Sequence, residues 1–268
     1  MRQILIFIGV LLLNIIACLS QEIAVTLVDS ISLPKNKFQK FIGIDTHDNF
    51  YFSNLEIITK TQKSESWVYT NYQLGVPTSI SILNPLQILV FYKEANSIVL
   101  LDRFLNEIQR IDLNLLNSPK VGWWVENTKN QEIWLYEGEK NQLEFFNYKT
   151  NIVLAKSIPF LEIPKQLAAN FNNAYILFKN KINKYNIYGT LAKSIYIKEM
   201  SIEELKINRS YIIGNSKNNF QLYDPNLKNL GSFKISKNNN KDFSLSAEKL
   251  YIYNGSKIFI YKLTFPTN

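Results

Sequence analysis

The residues able to do chemistry in this 268-residue chain are few, and their scarcity is the first result. There is one histidine, His47, and one cysteine, Cys18. A Ser-His-Asp relay, a His-ligated zinc and a histidine proton shuttle therefore all reduce to one position. His47 lies in Asp45-Thr46-His47-Asp48-Asn49, which reads as a polar turn between two strands. The carboxylates there lack the alternating oxygen spacing of a calcium loop. With no cysteine beyond position 18, thiolate chemistry and Cys-bound metal are not expected in the rest of the chain. Paired carboxylates remain as an acid–base device, at Glu137-Gly138-Glu139 and Glu203-Glu204. Both pairs fall in or beside expected loops with Lys140 and Lys206 nearby, where solvated loop charge accounts for them. No Gly-rich phosphate cradle is present. The expectation is no catalytic residue, no metal and no cofactor.

Aromatic residues offer a different chemistry, stacking. Trp123, Trp124 and Trp134 fall close together, with Trp67 apart from them. Trp124 and Trp134 sit on expected strands and read as core. Trp123, at the start of a strand, is the candidate platform, and with Glu137 and Glu139 it makes the candidate partner-binding set.

The elements that must position these residues are short strands at regular spacing. Pro77–Leu113 reads as four strands joined by tight polar turns, and six copies of that cadence follow one another. They centre on Tyr51, Ile88, Ile133, Tyr175, Tyr211 and Tyr251, separated by 37, 45, 42, 36 and 40 residues. Each opens with alternating apolar positions, such as Ile42 and Ile44, Ile80 and Ile82, or Phe243 and Leu245. A near-continuously apolar second strand follows, as expected where both faces are buried. With only 9 glycines, the turns must use Asn, Asp, Ser and Lys. A unit of this size cannot bury its apolar face alone and must stack on its neighbours. The sixth copy lacks a fourth strand, whereas Val25–Leu33 precedes the first copy and ends like a fourth strand. The N-terminal strand is therefore expected to complete the last unit and close a ring, removing an open edge.

The N-terminus bears on compartment. Met1-Arg2-Gln3 is followed by 14 residues from Ile4 to Ala17, apolar but for Asn14, the pattern of a secretory signal peptide rather than a membrane span. Residues 1–20 are assigned to it and 21–268 to the folded domain. Two cleavage positions fit: before Cys18, since Ile15-Ile16-Ala17-Cys18 resembles a lipobox, or after Ser20. In the first case Cys18 carries lipid and anchors the protein; in the second it is removed. Either way no internal disulfide can form, so packing alone holds the domain.

Net charge is +8, from 30 Lys and Arg against 22 Asp and Glu. The lysine runs at 35–40, 179–184 and 237–241 read mainly as solvated connections and edge-strand protection. A patch facing a polyanion is the other reading. Nucleic acid is not an expected partner, because the N-terminus argues for export.

From about Val25 to Phe265 the chain resembles a six-bladed β-propeller of the kind found in bacterial envelope proteins and lipoproteins. The resemblance is to architecture: the Trp-Asp and Gly-His signatures of WD repeats are absent, and only Gly43–Tyr51 resembles the first hairpin of an NHL-type blade. It implies an all-β fold of four-stranded antiparallel blades and an exported, non-enzymatic module that docks an envelope protein, as a monomer or as a subunit of a complex. A carbohydrate or cell-wall binder, and then an extracytoplasmic hydrolase or lyase, are the alternatives.

Overall fold

In a computed structural model that describes residues 23–34, 38–197, 201–235 and 240–265, the chain forms six four-stranded antiparallel sheets. Blade 1 is β2 (Lys40–Ile44), β3 (Phe50–Asn54), β4 (Ile57–Gln62) and β5 (Glu65–Thr70). Blade 2 is β6 (Ser79–Ser81), β7 (Ile88–Tyr92), β8 (Ser97–Leu101) and β9 (Glu107–Asp112). Blade 3 is β10 (Gly122–Asn127), β11 (Glu132–Glu137), β12 (Gln142–Asn147) and β13 (Ile152–Lys156). Blade 4 is β14 (Gln166–Ala169), β15 (Asn173–Leu177), β16 (Lys181–Asn186) and β17 (Leu191–Tyr196). Blade 5 is β18 (Glu204–Ile207), β19 (Ile212–Ser216), β20 (Asn219–Tyr223) and β21 (Asn229–Lys234). Blade 6 is β22 (Asp242–Ser246), β23 (Lys249–Tyr253) and β24 (Lys257–Thr264), completed by β1 (Ala24–Ser32).

The expected closure is borne out: β1 runs antiparallel to β24, from Ala24 opposite Thr264 to Ser32 opposite Lys257, with a bulge between Leu27 and Asp29. The sheet edge that the sixth repeat leaves open is thereby paired by the other end of the chain.

Burial follows strand rank within a blade. In blade 2 the second and third strands are buried at every position, whereas four of the six residues of β9 are exposed. The outer strands therefore carry the polar alternation, and the inner strands read as continuous apolar runs. The core is not one centre but six slabs, one between each pair of neighbouring blades. Leu89, Phe91 and Leu100 of blade 2 meet Val125, Leu135 and Phe146 of blade 3 in one slab. Phe41 and Phe52 of blade 1 meet Tyr251, Tyr253 and Ile258 of blade 6 in another, across the closure.

Asn and Asp make the turns, as the low glycine content requires. Asn208 Oδ1 accepts from the backbone N–H of Ser210 at 2.8 Å and of Tyr211 at 2.7 Å. Asp224 Oδ1 does the same for Asn226 and Lys228, both at 2.8 Å. Asn96, Asn130, Asn141 and Asn151 take positive φ, a conformation that asparagine tolerates better than most residues.

The ring has two faces. The turns joining first to second and third to fourth strands emerge on one, called here the turn face; Leu263 N–H donates to Glu248 O at 2.8 Å there. The turns joining second to third strands, and the connections between blades, emerge on the other, the loop face. Asn96 ties these two kinds of segment together, donating to Lys120 O at 2.7 Å and accepting from Gly122 N–H at 3.0 Å.

Candidate functional site: the central channel and the loop face

The first strand of each blade lines the channel. Six equivalent positions are fixed by their partners on the second strands: Gly43 opposite Tyr51, Ser81 opposite Leu89, Glu126 opposite Trp134, Ala168 opposite Tyr175, Lys206 opposite Ile213 and Ser244 opposite Tyr251. Four of the six are small or absent side chains, as convergence on an axis demands. A Cβ on Gly43 would lie 2.7 Å from Ser244 Oγ. The remaining two are a carboxylate and an ammonium.

Glu126 is half-buried, deep in the ring yet open to the channel. Burial pushes its carboxyl up to about 7, against the opposing pull of a hydrogen bond with Ser81 and of the Lys206 charge. Lys206 Nζ lies 3.0 Å from Glu204 Oε1, two residues earlier on β18. Burial alone would pull that ammonium down, but Glu204, Asp242 and Glu126 together hold it above the usual lysine range. Asp242 accepts from Phe41 N–H at 2.9 Å, which stitches β22 to β2. Burial pushes its carboxyl up, the Phe41 hydrogen bond and the Lys40 and Lys206 charges opposing and Glu204 adding. Gln166 makes a similar stitch from β14 to β18, accepting from Leu205 N–H at 2.7 Å and donating to Leu205 O at 2.9 Å. Three carboxylates thus surround one ammonium inside the ring.

A cavity of about 470 Å³ occupies the channel on the turn-face side. Its walls include Ile44, Ile82, Leu205 and Leu245, its rim Asp48, Asn208, Arg209 and Ser246, and Glu126 and Lys206 line it as well. The size is that of small-molecule sites, and polar and apolar residues share the lining about equally. Among the described residues no group of three or more His, Cys, Asp or Glu is placed to hold a metal ion.

The turn face exposes Leu86, Phe104 and Tyr188, and the loop face exposes a longer series of apolar side chains. The connections between blades 1 and 2, 2 and 3, and 3 and 4 expose Tyr72, Val76, Leu115, Ile158, Leu161 and Ile163, each more than half exposed and Leu161 fully so. Scattered exposed apolar residues are ordinary, but six on three successive loops of one face depart from that pattern.

The residues picked out from sequence fall as follows. Trp123 lies at the loop-face end of β10, half-buried, with its ring 6.1 Å from that of Tyr136 and with Lys93 Nζ 4.5 Å from its centroid. The indole lies directly over Gly138, where a Cβ would fall 2.1 Å from Trp123 Nε1. Glu139 is exposed beside it. Glu137, expected as solvated loop charge, is instead 1% exposed: Oε1 accepts from Val121 N–H at 3.1 Å and Oε2 from Lys140 N–H at 2.6 Å. Its carboxylate braces the loops because those two donors have no sheet partner there. Glu204, also expected in a loop, stands on a channel-lining strand, while Glu203 is exposed. Trp134 is fully buried and Trp124 half-buried. His47 is exposed, and its backbone N–H donates to Asp45 Oδ1 at 2.8 Å in the expected turn. Cys18 and the segment 1–20 lie outside the described residues.

Sequence reading thus passed over Glu126 and Asp242 and named Lys206 only as a neighbour of the Glu203-Glu204 pair. The signal was present in the repeats. Once first strands are aligned, a charge at a position otherwise held by Gly, Ser or Ala is the departure that points to the channel.

No protein-family model and no curated protein sequence matches the chain. Its fold does match solved structures. The β-propeller domain of Cps50 (Swd1) from Myceliophteria thermophila superposes with TM-score 0.63 at 9% identity, over 90% of this chain and 100% of that one. Selenomethionine-substituted virginiamycin B lyase from Staphylococcus aureus gives 0.60 at 12%, over 91% and 96%. A chain of the mitotic checkpoint complex gives 0.62 at 8%, over 92% and 94%. At such identities the likeness is one of fold, and it spans a chain of a checkpoint complex and a lyase alike.

Proposed function

We propose that this propeller is a non-enzymatic interaction module that docks a protein partner through its loop face. The observation that carries the reading is the run of exposed apolar side chains on three successive inter-blade loops, from Tyr72 to Ile163. Trp123 and Lys93 sit on the same face and supply the aromatic and cationic groups that interfaces favour. One of the solved structures of like fold is a chain of the mitotic checkpoint complex, which agrees with this use of the fold. The N-terminal sequence supports export, and the lipobox-like Ile15–Cys18 supports a lipid-anchored subunit of a bacterial envelope complex.

The test is cross-linking in intact cells followed by mass spectrometry, comparing the wild-type protein with an Ile158→Asp/Leu161→Asp double variant. Both side chains are exposed, so the variant should melt within about 2 °C of wild type while its cross-linked neighbour is lost. An unchanged set of neighbours, or none above background for the wild type, refutes docking through this face. Labelling with an acyl precursor in wild type and Cys18→Ala tests the anchor separately, since equal labelling rules out Cys18 as the attachment site.

A further inference from the structure

The channel cavity has no part in docking at the loop face, because it opens on the opposite side of the ring. We propose that it is a binding site for a small organic cation, a protonated amine carrying an apolar body, with Glu126 as the counter-ion.

Three features of the cavity select that chemistry. The first is charge. The ionisable residues that line the cavity are Asp45, Asp48 and Glu126 against Lys206 and Arg209, and Glu204 on β18 and Asp242 on β22 are two further acids that act on Lys206. Lys206 is held by Glu204 at 3.0 Å, and Asp242 is bonded to Phe41 N–H at 2.9 Å. Asp45 is engaged by the side chains of Asn49 at 2.7 Å and Tyr51 at 2.9 Å, and Asp48 stands at the rim, which leaves Glu126 as the acid inside the cavity, with Ser81 as its hydrogen-bond partner and Lys206 as the charge that reaches it. A ligand that brings its own ammonium would complete the neutralisation that one lysine leaves undone. An anion would meet an inner surface whose sum of charges is already negative.

The second is shape. About 470 Å³ exceeds what an ammonium needs and suits a body of drug-like or lipid-chain-fragment size. The walls nearest the mouth are Ile44, Ile82, Ile207, Leu245 and Ala247, which offer a cation's hydrocarbon part a place out of water. The rim carries one charge of each sign, Arg209 and Asp48, so its net charge does not oppose entry of a monocation.

The third is the state of the acid. Burial holds the Glu126 carboxyl up at about 7, whereas pairing with a cation favours the ionised form. Binding is therefore coupled to loss of a proton. Ser81 of β6 and Lys206 of β18 act on Glu126, and Glu204 and Asp242 act on Lys206.

The experiment is calorimetric titration of the full-length protein with n-octylammonium, with octanoate and octanol as the anionic and neutral isosteres, at pH 5.5 and pH 8. Octylammonium stays protonated across that range, so the protein supplies any pH dependence. The expected result is binding by the amine in preference to both isosteres, tightening by about thirtyfold as Glu126 ionises across that range. Glu126→Gln, which keeps shape and the Ser81 bond, should weaken amine binding at pH 8 by about tenfold or more and flatten its pH profile. Ser246→Trp, at the mouth, should block the cavity without touching any charge and abolish binding. The inference is overturned by equal affinity for octanoate, by equal amine affinity in wild type and Glu126→Gln, by binding that survives Ser246→Trp, or by no heat of binding at millimolar amine.

Discussion

At the scale of single residues, Glu126 and two of the three tryptophans of blade 3, Trp123 and Trp134, make separable predictions. The Glu126 carboxyl is raised from 4.5 to about 7, so the folded state binds more protons than the unfolded state between those values. Its contribution to stability is present below pH 4.5 and is lost as pH rises through about 7, amounting to at most about 3 kcal/mol across the window. Glu126→Gln should therefore melt higher than wild type at pH 8, with the difference shrinking toward pH 5. A variant whose melting temperature tracks wild type at both pH values contradicts this account. Trp134 fills the slab between blades 3 and 4 with no exposure, and Trp134→Ala should cost about 3–5 kcal/mol. Trp123 is half-buried on the loop face, and Trp123→Ala should cost about 1–2 kcal/mol, a gap resolved by denaturant melts of the two variants. Equal large losses would assign Trp123 to the core and leave no stacking platform.

At the scale of elements, the blades were legible from sequence for a physical reason. A strand buried on both sides must be apolar at every position, and an outer strand must alternate, so each repeat prints its own strand ranks. The N-terminal strand was read as Val25–Leu33 and found at Ala24–Ser32. The turns were legible because asparagine and aspartate can close them through their own side chains. The channel residues were not, since a position is recognised as channel-lining only by comparison across all six first strands. Glu126, between Val125 and Asn127, belongs to no local motif, and Glu204 looked solvated because it is so, but by the channel rather than the exterior. Glu137 misled in the opposite sense: a loop glutamate that caps two backbone N–H groups has the same sequence as one that does not. Ring closure gives the prediction for this scale. Removal of 22–33 strips the partner from β24 along its whole length and bares Ile258, Tyr261 and Leu263 beside an unpaired edge. The shortened chain should be insoluble, or should lose near-ultraviolet dichroism and the cooperative melt. A sharp transition at the wild-type temperature would show that five and three-quarter blades suffice.

At the scale of the whole molecule, the two working surfaces proposed lie on opposite faces, and β1 decides how they are presented. Ala24 stands opposite Thr264, and the neighbouring Leu263 bonds to the turn between β22 and β23, so the chain enters the ring at the turn face. Cys18 precedes Ala24 by six residues, a reach of about 20 Å at roughly 3.3–3.6 Å per residue. An acyl anchor at Cys18 would hold the channel mouth down against the bilayer and turn the apolar loops outward. On vesicles, Ser210→Cys, at the channel rim, should then resist a membrane-impermeant maleimide while Leu161→Cys reacts freely; equal reaction at both would refute the orientation. Such a protein is polarised by its own closing strand. With Cys18 so anchored, the strap that seals the ring would also serve as its compass, giving one face to the lipid surface and the other to whatever arrives from the aqueous side.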